Sequence, residues 1–142
     1  MGLDLASSNV NRTYSLAATT IAIFTFTLIF LFPRFASGEV NALLFQATLA
    51  VLGVATFSFV FAALCYYGSS LGRMDDAERA VYDWRGDRFW LLGILLLFLD
   101  PSLILFSVGL PVVGSAWFAL WLVYLLFAIR YWRTYTAWRR SP

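Results

Sequence analysis

The sequence contains no histidine, no lysine and a single cysteine. Without imidazole there is no histidine ligation of a metal or haem and no histidine general base. One cysteine cannot form an intrachain disulfide or a thiolate zinc site. Cys65 lies in the apolar run FAALCYY and reads as a thiol packed in a helix, rather than a palmitoylated or reactive one. All ten basic residues are arginine, and charged residues make up 13% of the chain. Soluble domains average about 25%, so this chain has too little charge to cover itself with a wetted surface. A formal charge of +2 is too small to point to nucleic acid. Clustered acids and nucleophile motifs of the kind enzymes use are also missing, so neither catalysis nor a cofactor is expected.

What the chain has in quantity is hydrocarbon: 61% of residues are hydrophobic and 19% aromatic. Four apolar stretches, at about 14–33, 40–67, 89–110 and 114–132, reach the roughly 17–25 residues that a membrane-crossing helix needs. The second is long enough to tilt or protrude. Backbone groups in lipid must be satisfied within their own segment, so these stretches predict helices rather than strands. The expected fold is a single all-α membrane domain over residues 1–142. Short outer links, at 36–39 and 111–114, make sequential neighbours antiparallel and predict an up-down-up-down bundle. The two halves do not align, which weighs against an inverted repeat.

Arginine placement sets the expected orientation. Arg12 precedes the first span; Arg73, Arg79, Arg85 and Arg88 lie between the second and third; Arg130, Arg133, Arg139 and Arg140 close the chain. Alternating helices place these nine on one side and only Arg34 on the other. The positive-inside rule puts both termini and the middle segment in the cytoplasm, as in a bacterial inner-membrane protein. Ala36-Ser37-Gly38 would serve as a signal-peptide cleavage site, but the apolar core from Leu16 to Phe32 is longer than such peptides use. The Asn11-Arg12-Thr13 sequon falls on the cytoplasmic side and reads as chance, as does Arg85-Gly86-Asp87. Arg130, Arg133, Tyr135, Trp138 and their neighbours form the arginine and aromatic belt of a membrane interface, where anionic lipid adds attraction.

The segment 70–87 is the only sizeable polar stretch. Leu71, Met74, Ala77, Val81 and Trp84 recur at helical spacing, with acids and arginines between them. This predicts an amphipathic cytoplasmic helix on the membrane surface. Asp75 and Arg79 form a favourable i,i+4 pair. A sharper reading makes Asp75, Asp76 and Glu78 a cation-attracting mouth.

Asp100 stands out against this background. It interrupts the third span and, counted from the ends, falls near the bilayer midplane. Insertion scales put an acid there at about 2.5–3.5 kcal/mol, and such residues mark candidate functional sites. Pro101 follows it, and an Asp-Pro pair suits the start of a helix, so Pro101 predicts a kink or break with Asp100 capping the second half. The same counting puts Thr25, Thr56 and Tyr124 at the depth of Asp100, each with a hydroxyl to offer. Thr19, Thr20, Thr27, Gln46 and Ser58 extend a sparse polar trail.

These features predict a small ion- or proton-conducting protein built on Asp100. Four helices enclose little lumen, so a pore requires a homo-oligomer, with Asp100 or the threonine-bearing first helix at the axis. Small residues such as Ala18, Ala22, Ala55, Ala62, Ser115 and Ala119 permit close helix contacts, within the chain or between copies. Two alternatives stand beside conduction: Asp100 as polar glue between helices, and the chain as a non-catalytic accessory or assembly subunit of a larger membrane complex. The expected surroundings are membrane lipid in every case.

Overall fold

The computed structural model describes residues 2–71 and 74–140, with side chains described over 8–71 and 74–134. Arg73 lies outside the described residues, as do the side chains of Tyr135, Trp138, Arg139 and Arg140. Four helices follow in order: α1 (Gly2–Ala36), α2 (Ala42–Ser70), α3 (Asp76–Ser107) and α4 (Pro111–Arg140). No strand occurs among the described residues. Each helix contains a stretch long and apolar enough to cross a membrane.

Two turns close on the same chemistry. After α1, the N–H of Gly38 donates to Phe35 and that of Glu39 to Arg34. After α3, Gly109 donates to Phe106 and Leu110 to Leu105. This is the Schellman pattern, which needs a left-handed residue just past the helix, and Gly38 and Gly109 have φ of 78° and 79°. Pro111 then opens α4, where its missing N–H has no intrahelical bond to lose. The last link is therefore 108–110, and 111–114, expected as a loop, is the first turn of α4.

The polar segment departs further from expectation. Rather than forming a separate surface helix, residues 76–87 are the first turns of α3 and run unbroken into the third span. Asp75 is the N-cap, its side chain accepting from the Glu78 N–H at 2.7 Å. With Glu78 three residues on, these positions have the spacing of a capping box. Arg79 pairs with Asp76, at 3.5 Å, and not with Asp75. α3 also continues through Pro101 to Ser107, so no helix break occurs there.

α2 is the central element. Phe45 stacks on Phe35 of α1, and Phe59 clusters with Ala17 of α1 and Ile94 of α3. Asn41, the N-cap of α2, also donates its backbone N–H to Ser107, tying the start of α2 to the end of α3. At the other end the Tyr66 hydroxyl donates to Asp87 at 2.9 Å. α4 packs principally against α3, through Phe106 on Gly114 and Phe98 on Tyr124.

A buried carboxyl in a seven-residue seam

The α2–α3 seam repeats every seven residues. On α2 the buried residues include Phe45, Leu52, Phe59 and Tyr66, with Thr48, Ala55, Ala62 and Ser69 in a second row. On α3 the matching row is Gly86, Gly93, Asp100 and Ser107. Large side chains on one helix face small ones on the other, as in the knobs-into-holes packing that a seven-residue period produces. A Cβ at Gly86 would sit 2.8 Å from the Tyr66 ring, and one at Gly93 would sit 2.7 Å from the Phe59 ring. Continuing this register brings Leu52 opposite Asp100, and the Asn41–Ser107 bond confirms the direction of travel. Asp100 is thus the one acid in a row otherwise made of glycine and serine.

Both residues are sealed. Leu52 is 0% exposed and Asp100 1%. The carboxyl oxygen Oδ1 of Asp100 is buried with no hydrogen-bond partner. Hydroxyls are plentiful along the same interior: Thr13, Thr20 and Thr27 on α1, again seven residues apart, with Thr48, Ser58 and Ser69 on α2 and Ser102 and Ser107 on α3, all buried. Most turn their protons back onto their own helix. Thr20 donates to Leu16, Thr48 to Leu44, Ser58 to Val54, Ser102 to Leu99 and Ser107 to Ile104, at 2.7–2.9 Å. With their donors spent on backbone carbonyls, these oxygens offer lone pairs to the interior. A protonated carboxyl can donate to such oxygens, whereas these five hydroxyls have no further proton to offer a carboxylate.

Depth also shifts. Asp100 lies seven residues before the end of α3, about 10 Å along the axis at 1.5 Å per residue. It is therefore nearer the Schellman turn of α3 than the Arg88 end.

None of the three hydroxyls expected around Asp100 is hydrogen-bonded to its Oδ1. Thr25 is exposed and donates to Ile21 at 2.9 Å. Thr56 is half-buried and donates to Leu52 at 2.9 Å. Tyr124 is 36% exposed, its ring 5.3 Å from Phe98 on the α4 side of α3. Equal distance from the span ends does not set the face on which a residue lies. The residues overlooked, Leu52 and the glycines in line with Asp100, are visible in the sequence as a seven-residue recurrence.

Comparison with protein-family models, with curated proteins and with solved structures returns no match.

The proline beside Asp100 has its own accommodation. Pro101 cannot donate to the carbonyl four residues back, that of Leu97. Flanking carbonyls are engaged from outside the helix: the indole N–H of Trp117 donates to Phe98 at 3.2 Å and that of Trp121 to Leu95 at 2.9 Å. The two indoles fasten α4 to the loosened turn of α3. Asp75, Asp76 and Glu78, the expected cation mouth, sit at the start of α3, where capping, pairing with Arg79 and the helix N-terminus account for them.

Proposed function

We propose that this chain is an integral membrane protein that conducts protons or small cations by way of Asp100. The observation that carries the reading is the buried, unpartnered Oδ1 of Asp100. A carboxyl retained only to hold helices together would be hydrogen-bonded to its neighbours, since buried polar groups are paired in the great majority of cases. This one has no such bond, although buried hydroxyls occur on α1, α2 and α3. The helices are arranged up-down-up-down, and the positive-inside rule places both termini and the α2–α3 connection in the cytoplasm of a bacterial inner membrane.

Burial of Asp100 inside one chain changes the expected form of the conductor. A ring of acids around a symmetry axis needs the carboxyl on an outer face, and its face is covered by α2. Each protomer then carries its own site, and homo-oligomers form through the outer faces of α1 and α4 without sharing the acid.

A decisive test is proton flux into liposomes loaded with a pH-sensitive dye. The native protein is expected to dissipate an imposed gradient, and Asp100→Asn to slow this at least tenfold while still folding. Flux equal to that of empty vesicles, or an Asp100→Asn protein as active as the native one, would refute conduction and leave Asp100 as helix glue.

A second reading has one observation in its favour. Almost all of α4 beyond its α3 contact is uncovered, as expected of an accessory or assembly subunit that receives a partner helix there. Purification from native membrane separates the two: a stoichiometric partner chain supports this reading, and a homogeneous assembly of one chain opposes it.

A further inference from the structure

The α3–α4 seam opens into a cleft of about 370 Å³ at the arginine-rich end. Arg88 from α3 and Arg133 from α4 line it together with Leu91 and Leu95 of α3 and Ala128 and Ile129 of α4. The arrangement has a direction. Leu95 lies seven residues along α3 from Arg88, so the apolar walls extend about 10 Å away from the charged end. Arg88 is steadied by aromatic rings, its guanidinium 3.5 Å from the Trp84 ring centre and 6.0 Å from that of Trp132. Stacking of this kind occupies the flat face of a guanidinium and leaves its edge N–H donors directed outward.

The sign of the local charge selects the ligand. Arg12, over Trp90 at 5.5 Å, brings a third cation to the same end. Against these stand Asp83 and Asp87, both near enough to act on the Tyr66 hydroxyl, which donates to Asp87, and both Asp87 and Arg133 have further partners. A second cleft beside the first, of about 400 Å³, is lined by Asp87, Trp90, Tyr124 and Tyr131 among others. Its aromatic walls suit an organic cation, but the arginines nearby disfavour one. The balance is cationic and the slot beneath is apolar. An anion attached to a hydrocarbon chain satisfies both.

We infer that the cleft is a binding site for an anionic glycerophospholipid, its phosphate held between Arg88 and Arg133 and an acyl chain lying in the slot between α3 and α4. Basic pockets between membrane helices suit such headgroups. The site makes α4, which has little other packing, dependent on lipid for its seating against α3. This inference does not rest on Asp100, and the conduction reading stands or falls separately.

Native mass spectrometry of the delipidated protein in neutral detergent tests it, titrating phosphatidylglycerol, phosphatidylcholine or inorganic phosphate. One phosphatidylglycerol per chain is expected to bind in preference to phosphatidylcholine. Arg88→Gln and Arg133→Gln are each expected to weaken it about fivefold, taking an arginine near a charged lipid surface at about 1 kcal/mol. Ala128→Trp fills the slot with both arginines intact and is expected to weaken binding as well, whereas Arg34→Gln, at the far end, leaves it unchanged. Arg88→Lys with Arg133→Lys keeps the charge and is expected to retain the preference, which covers the case in which the glutamine variants fail to fold. Equal binding of both lipids overturns the site, as does an Ala128→Trp protein with native affinity, which would mean a diffuse basic surface. Displacement of the lipid by millimolar inorganic phosphate would overturn the acyl-chain part.

Discussion

α1, α2 and α3 interlock, whereas α4 is attached. In the most apolar stretch of α2, 39% of residues are buried within the chain; in that of α4, 6% are. α2 and α3 meet through a seven-residue seam in which Gly86 and Gly93 admit aromatic rings, and α1 brings a seven-residue row of buried threonines to the same core. α4 packs principally against α3, through rings and two indole hydrogen bonds to backbone carbonyls. Hydrocarbon gives helices no hydrophobic reason to associate, and packing and polar contacts must do so instead. The buried chemistry accordingly collects where packing is dense, and the opening toward lipid occurs where it is sparse.

Overfilling the dense region should have the largest effect. Gly93→Ala places a Cβ where the Phe59 ring already stands, 2.7 Å away. Overpacking of this kind costs about 1–3 kcal/mol. A reversible unfolding titration in mixed micelles should show that loss. Gly53, on the facing helix α2, has nothing within 4 Å of its Cβ position. Gly53→Ala should therefore leave stability unchanged or raise it by up to about 1 kcal/mol through helix propensity. If the two alanines behave alike, the interlocked seam is not what holds α2 to α3.

Trimming the attachment of α4 should have a smaller and more local effect. Trp121→Phe keeps a ring but removes the N–H that reaches the Leu95 carbonyl at 2.9 Å. One such bond is worth about 1 kcal/mol. Hydrogen–deuterium exchange should quicken in α4 and in the turn of α3 around Pro101, with α2 unaltered. Faster exchange spread evenly over all four helices would mean that α4 is as integral as the others, and the contrast between the two regions would fail.

Much of this was readable in the residues, within limits set by what each signal measures. Hydropathy runs located all four spans, because length and apolarity alone decide whether a helix can cross hydrocarbon. The same runs missed the continuity of residues 76–87 with the third span, since an amphipathic period describes a helix but not where it stops. The Asp75-to-Glu78 spacing and Pro111 are helix-start signals that a reading of acids and apolar runs passes over. Asp100 was identifiable as an acid in an apolar run. Its neighbours were not, because counting from span ends gives depth and says nothing of direction around the axis. The seven-residue recurrence of Gly86, Gly93, Asp100 and Ser107 carries the missing angle, and Thr13, Thr20 and Thr27 carry it on α1.

Threonines 25 and 27 offer the smallest and sharpest test of that angle. They differ by two residues, which is about 200° around a helix, so nearly equal depth comes with opposite faces. Thr25 is exposed, and its hydroxyl is occupied by the Ile21 carbonyl. Thr27 is 4% exposed, on the interior face with Thr13 and Thr20. Thr25→Val trades a hydroxyl for a methyl group at the outer surface of α1, and neither the unfolding midpoint nor proton flux should move measurably. Thr27→Val removes a hydroxyl from the buried face of α1 without changing shape; if that face serves the carboxyl, flux should fall while stability stays within about 1 kcal/mol. Equal flux from both variants would mean that the interior hydroxyls do not serve the carboxyl. A loss confined to Thr25→Val would place the conducting surface on the outside of α1, between copies of the chain, and return the acid to a purely structural role.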